Sequence, residues 1–231
     1  PVTEGAFDTT PNGGEDSYIA RLSADGSELL ACTYMGGSGI GSDYVSSLAL
    51  ASDGSIIVSG RTCSSDWPTT AGSFSPTSAG SCDVFVSHLS PDLSALIAST
   101  YFGGGSSDSF YSMTILQDDS VVIGGGSSPS TAPLTTERGP FDGAPLGTYL
   151  TRLSPDLSEL VWSIPVGAAV NEIVPHNDAL FIAGWTTYPE FPTTPGAFSN
   201  EFTGIPGSTP ELIAARLSSD AQTLHWSTFI T

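Results

Sequence analysis

The chain contains no lysine, and its five basic residues are all arginine: Arg21, Arg61, Arg138, Arg152 and Arg216. Set against 24 acidic residues they leave a net charge of −19. A field of that sign repels nucleic acid and anionic lipid, so neither is an expected partner. Long apolar runs are also missing. None approaches the roughly 18–20 residues needed to cross a bilayer, so no membrane span is expected. No long window carries apolar residues at helical spacing, which argues against a helical fold. The opening PVTEGAF has neither a basic segment nor an apolar one after it, so no signal peptide is visible and a mature product or an excerpt is expected. No Asn-x-Ser/Thr acceptor occurs. Low lysine and high acidity point to an extracellular or cell-surface protein, the competing reading being an acidic cytoplasmic one.

Cysteine is scarce: Cys32, Cys63 and Cys82. Cys63 and Cys82 bracket one loop. A disulfide there would close about 20 residues and contribute on the order of 3 kcal/mol in the chain-entropy model; the competing reading is two unpaired thiols. Cys32 stands where other copies of a repeat carry Ser99, Ser163 and Ser227, which suits a small buried residue. No C-x-x-C or H-x-x-x-H spacing offers a zinc set.

What is abundant is glycine, serine, threonine, proline and, above all, repetition. Arg152–Val161 reads RLSPDLSELV; Arg21–Leu30 reads RLSADGSELL, His88–Ile97 HLSPDLSALI and Arg216–His225 RLSSDAQTLH. Each is an apolar strand, a polar turn and a second strand, with Asp25, Asp92, Asp156 or Asp220 in the turn to satisfy local backbone N–H groups. A unit recurring at about 65 residues cannot bury its own apolar face, so copies must stack. Taken apart, the repeats predict fourteen strands, among them Val45–Leu50, Ser55–Thr62, Asp83–Leu89 and Ala95–Phe102 in the best-formed copy. The linking loops repeat as well: Asp66–Thr70 (DWPTT), Ala132–Thr136 (APLTT) and Glu190–Thr194 (EFPTT), each followed by a Gly-containing run that ends in Phe74, Phe141 or Phe198, matching Phe7.

Four-stranded units at this period are what a β-propeller needs. The runs TYMGGSGIGSDY (Thr33–Tyr44), DGSIIVSGRT (Asp53–Thr62), DWPTT, AGSF (Ala71–Phe74) and DVFVSHLSPD (Asp83–Asp92) together resemble the bacterial SBBP-type β-propeller repeat over essentially the whole chain. The resemblance implies an all-β propeller of four-stranded antiparallel blades in a surface or secreted setting, and it carries over no catalytic motif. The third full unit departs from it, Pro165–Asn171 (PVGAAVN) standing in place of the glycine cluster and Asp. The expected organisation is one repeat domain over 1–231: a half repeat over 1–42 and repeats over 43–107, 108–169 and 170–231. Three and a half repeats make an incomplete ring, or part of a larger or multi-chain one, with strand edges that invite pairing.

Chemistry is thin by comparison. His88, His176 and His225 fall at unrelated repeat positions, and no G-x-S-x-G elbow occurs, so no catalytic residue is nominated. GGSGIG (Gly36–Gly41) lacks the lysine and following helix of a phosphate loop. No cofactor is expected; structural calcium at the recurring Asp16, Asp43, Asp83 and Asp108 stays open. Trp67, Tyr188 and Phe191 are candidates to stack on a ligand, with loop packing as the competing role. The expectation is a non-enzymatic structural or binding scaffold of a surface layer, adhesin or filament, whose partners are copies of itself or further repeats. The alternative is a carbohydrate-active enzyme or polysaccharide-binding module using one face.

Overall fold

The computed structural model describes residues 2–128, 132–133 and 139–230. It is all-β: among the described residues the only helical element is a 3-10 turn at Gly139–Phe141. The strands are β1 (Ser17–Leu22), β2 (Leu29–Met35), β3 (Tyr44–Leu50), β4 (Ile56–Thr62), β5 (Asp83–Leu89), β6 (Leu96–Phe102), β7 (Ser107–Ile115), β8 (Val121–Ser128), β9 (Thr148–Leu153), β10 (Leu160–Pro165), β11 (Ala169–His176), β12 (Ala179–Thr186), β13 (Glu211–Ser218) and β14 (Leu224–Ile230). They form a two-stranded sheet β1–β2 and three four-stranded sheets ordered as they occur in the chain, β3–β6, β7–β10 and β11–β14. Pairing is antiparallel throughout the described registers, as expected where strands consecutive in the chain lie side by side. Each element lies within a few residues of the position that the repeats predict.

By contacts the chain divides into two compact units: Pro1–Asp108 with Pro155–Glu159, and Ser109–Ser154 with Leu160–Thr231. The first is built on sheets β1–β2 and β3–β6. Ile19, Ala31 and Met35 from the small sheet pack with Phe85, Leu89 and Tyr101 from the larger one. In the second unit Trp162 and Ile164 of sheet β7–β10, with Val166 just after β10, pack with Ile213, Leu217 and Phe229 of sheet β11–β14. A sheet with one apolar face must cover it, and both units do so by stacking the next sheet on it.

Local chemistry fixes the repeat's corners. In the turn at Ser90–Ser94 the Asp92 carboxylate accepts from the Ser94 backbone N–H at 3.1 Å and from the Ser90 hydroxyl at 2.6 Å, while Ser90 Oγ accepts from Ala95 N–H at 3.0 Å. Those hydroxyl bonds hold the carboxyls of Asp25 and Asp92 down to about 2. The residue after the Asp turns left-handed, with φ of 71° at Gly26, 59° at Leu93, 57° at Leu157 and 57° at Ala221. Side chains at three of these four positions accept a conformation that costs about 1–2 kcal/mol because each is buried. A second corner lies where β3 and β11 bulge. The pairing shifts between Val45 and Ser47, and between Val170 and Glu172, and Gly60 and Gly184 sit opposite. A Cβ there would stand 1.8 Å from the Tyr44 carbonyl oxygen or 1.9 Å from that of Ala169, so only glycine fits.

The Pro-Thr-Thr loops run along the outer edge of the sheets. Thr70 N–H donates to Ser99 O at 3.1 Å and Tyr101 N–H to Ser75 O at 2.9 Å; Thr194 and Phe229 repeat this with Ser227 O (3.3 Å) and Ser199 O (3.0 Å). Thr3 and Tyr34 do the same on β2, with Cys32 O and Asp8 O each at 3.1 Å. The outer edges of β2, β6 and β14 are therefore partly occupied by their own loops, which blunts edge pairing. The copy at Ala132–Thr136 lies mostly outside the described residues.

Candidate functional site

The three loop aromatics nominated for ligand stacking have different surroundings. Trp67 is buried, stacked on Phe85 with ring centroids 3.8 Å apart, and its indole N–H donates to Ser87 Oγ at 3.2 Å. Phe191 is buried between Phe141 (5.6 Å) and Phe229 (6.1 Å). Both are thus committed to protein packing. Tyr188 is half-buried, its hydroxyl 3.1 Å from Glu190, and it lines a small hollow with Tyr111 and Trp185. Cys63 and Cys82 are joined as a disulfide across the loop that holds Trp67, and Cys32 is a free, buried thiol.

Two polar clusters form across strands. In the first, Ser55 Oγ donates to the Asp53 carboxylate and lies 2.5 Å from His88 Nε2. In the second, Ser120 Oγ donates to Asp118 at 2.6 Å and accepts from Arg152 Nε at 2.8 Å, and Arg152 also forms an ion pair with Asp118 at 2.5 Å. Serine, histidine and aspartate together suggest nucleophilic catalysis, but the hydroxyl is held by the acid itself. A triad places the acid on the imidazole and the imidazole on the hydroxyl; here the acid holds the hydroxyl directly. Ser55 is also fully buried, and the equivalent cluster replaces the imidazole with a guanidinium that cannot act as a base. What the position asks for is a polar group that clasps the turn. Hydrogen bonds from Ser55 lower the Asp53 carboxyl; at Asp118 the effect of burial is outweighed by Ser120 and the Arg152 charge. Sequence reading missed this clasp because Ser55 and His88 are 33 residues apart. The recurring Asp-x-Ser at Asp53–Ser55 and Asp118–Ser120 was the available signal. Beside the second clasp a cleft of about 410 Å3 is lined by Leu116, Asp118, Arg152, His176 and Asp178.

Asp83 and Asp108 make the most unusual electrostatic feature. Both are fully buried, and a Cβ built on Gly103 would lie 2.4 Å from an oxygen of each. Asp83 Oδ2 accepts from Ala79 N–H (3.0 Å) and Gly80 N–H (3.3 Å), and Asp108 Oδ2 from Gly104 N–H (2.8 Å), while Oδ1 of each has no hydrogen-bond partner. Burial pushes the Asp83 carboxyl up against the pull of those N–H groups, and the neighbouring Asp108 pushes it further. Two buried like charges at such range favour sharing a proton. The matching Asp43 is instead saturated by Gly37 N–H, Thr62 Oγ1, Cys63 N–H and Ser64 Oγ. Among the described residues no three His, Cys, Asp or Glu side chains gather as a metal-binding set, and no helix is long and apolar enough to cross a membrane.

An exposed apolar surface lies on sheet β11–β14. The register aligns Trp185, Leu212 and Ile230 in one row across three strands, and Phe181, Arg216 and Trp226 in another. The first row lines a hollow of about 280 Å3, and Phe198 and Trp226 line a second of about 310 Å3. Trp185, Leu212, Ile230, Trp226 and Phe198 are all exposed. A patch of this kind marks a contact surface. No protein-family model matches the chain, and no curated protein matches it in sequence.

Proposed function

We propose that the chain is a non-enzymatic scaffold of an extracellular or cell-surface setting, whose sheets are β-propeller-type blades of the SBBP kind and which works by assembling with copies of itself or with further repeats. One observation carries this reading: within each unit one sheet covers the apolar face of another, and a loop-to-turn clasp recurs. Phe7 N–H donates to Leu93 O and Phe74 N–H to Leu157 O, both at 2.8 Å, each joining a loop Phe to the left-handed turn of another hairpin. The polar clusters act on turns, which fits a scaffold better than a reaction centre.

Sedimentation velocity over a concentration series, with negative-stain images, tests the reading. Growth into assemblies is the expected result. A discrete monomer at every concentration overturns it; so, all the more, does one that also retains a polysaccharide. That second outcome belongs to a carbohydrate-binding module, which one feature favours: the hollow where Trp185 and Tyr188 stand together with Tyr111. Binding to a glycan array that Trp185→Ala abolishes would establish it.

A further inference from the structure

In the second unit two sheets carry the same positions with opposite fates. Phe141 is 1% exposed and its counterpart Phe198 is 81% exposed; Trp162 is 6% and Trp226 is 38%; Val166 is 0% and Ile230 is 44%. The buried set lies on the face of sheet β7–β10 that sheet β11–β14 covers. The exposed set lies on the corresponding face of β11–β14, with Leu212 and Trp185 beside it. Residue type does not separate the two sets, since both are large and apolar. Coverage does.

The first unit holds the complement. On the small sheet Tyr18 is 63% and Leu22 is 56% exposed, whereas the equivalent Ile213 and Leu217 are buried in the core against sheet β7–β10. The register places Tyr18 opposite Tyr34 and Leu22 opposite Leu29, on the face opposite Ile19, Ala31 and Met35, which pack on β3–β6. One chain thus displays both halves of a junction that it also builds internally. The backbone agrees. Phe7 and Phe74 spend their N–H on the carbonyl of a left-handed turn residue, while that of Phe198 finds no acceptor among the described residues. The left-handed Gly26 is the turn residue of the small sheet.

We propose, resting on the scaffold reading above, that the occupant of the β11–β14 face is the β1–β2 sheet of a second copy of this chain. The contact is head-to-tail, with Tyr18 and Leu22 seated against Trp226 and Ile230 and Phe198 meeting the Ser23–Ser27 turn. Because the two surfaces differ, the contact is heterologous and repeats into an open chain unless its rotation closes a ring. With a net charge of −19 on each copy the contact is apolar attraction working against repulsion. Association therefore strengthens as salt rises, opposite to an ion-paired interface.

Two double variants test this. Trp226→Ser with Ile230→Ser spoils only the tail face, and Tyr18→Ser with Leu22→Ser spoils only the head face. All four side chains are exposed, and a melting transition like that of the parent confirms each fold. The expected result is that the unaltered chain sediments as multimers, each variant alone as a monomer, and an equimolar mixture as a 1:1 dimer and nothing larger. Variants that assemble as the parent does would overturn this contact and leave the scaffold reading standing; a parent that stays monomeric would overturn both. A Ser27→Cys, Phe198→Cys chain under mild oxidant is expected to give a ladder of covalent multimers, and a ladder equally strong from Ser27→Cys alone would also overturn the contact.

Discussion

Loop 63–82 in the first unit and loop 187–210 in the second lie between the second and third strands of their sheets, and they are held down by different chemistry. The first has a disulfide at its ends and one indole stacked on Phe85. The second has no cysteine and uses a cluster instead, Phe191 and Phe202 both against Phe229, at 6.1 and 5.7 Å. The lacing along the outer strand is nevertheless the same. Ser75 N–H donates to Thr100 Oγ1 at 2.8 Å, and Ser199 N–H to Thr228 Oγ1 at 2.9 Å. The pattern of backbone bonds is what the repeat needs, and an aromatic anchor at Trp67 or Phe191 is its common requirement. The covalent link is an addition to one copy.

The strongest test of that contrast is removal of the anchors. Trp67→Ala and Phe191→Ala should each cost about 3–5 kcal/mol, as expected for a buried aromatic, read as a fall in the denaturant midpoint. If the disulfide were the true anchor of the first loop, Trp67→Ala would be far milder than Phe191→Ala. Next comes the bridge itself. Cys63→Ser with Cys82→Ser should cost about 2–4 kcal/mol, confined to the first unit, so hydrogen exchange should rise in β4 and β5 and stay unchanged in β12 and β13.

The bulge corner is common to both units and should respond alike. Gly60→Ala and Gly184→Ala each push a methyl into a backbone carbonyl, for about 1–3 kcal/mol. Unequal effects would show that one bulge can relax. The Asp83–Asp108 pair lies in the first unit and gives it a pH response opposite in sign to that of the lowered Asp118 and Asp220 carboxyls of the second. The Asp83 carboxyl is raised in the folded chain, so its proton favours folding at low pH. That contribution is complete below the ordinary aspartate value and disappears as pH climbs through the raised one. Stability of the first unit should decline over that window, and Asp83→Asn should flatten the decline; an unchanged profile would remove the pair as its cause. The exposed turn carboxyls Asp25 and Asp92, held down to about 2, act in the opposite sense, losing their contribution as pH falls toward that value. The smallest effect is expected at the Arg152–Asp118 clasp. Its acid is largely exposed, so Arg152→Ala should cost under about 1 kcal/mol in thermal melts.

Much of the fold was legible beforehand. The repeat marks the strands Asp83–Leu89, Thr148–Leu153 and Ala179–Thr186 to the residue, because short apolar runs bounded by turn residues recur at the same place in successive copies. The Asp of each turn was legible for a similar reason, its bonds reaching only two residues along the chain. The clasp of Ser55 and His88 was not, nor the pairing of Asp83 with Asp108, since both depend on strands distant in sequence. The role of Trp67 was ambiguous: an aromatic in a polar loop suits a ligand platform and a loop anchor equally until the face beneath it is known.

By itself the sequence determined the strands, their turns and the period at which they recur, all of which follow from interactions spanning a few residues. Tertiary structure alone decided which apolar faces are covered. Val166 and Ile230 are alike in chemistry and in repeat position, and one is buried while the other is exposed only because one sheet has a neighbour stacked upon it. Burial is a property of what lies opposite, and no local pattern can encode that.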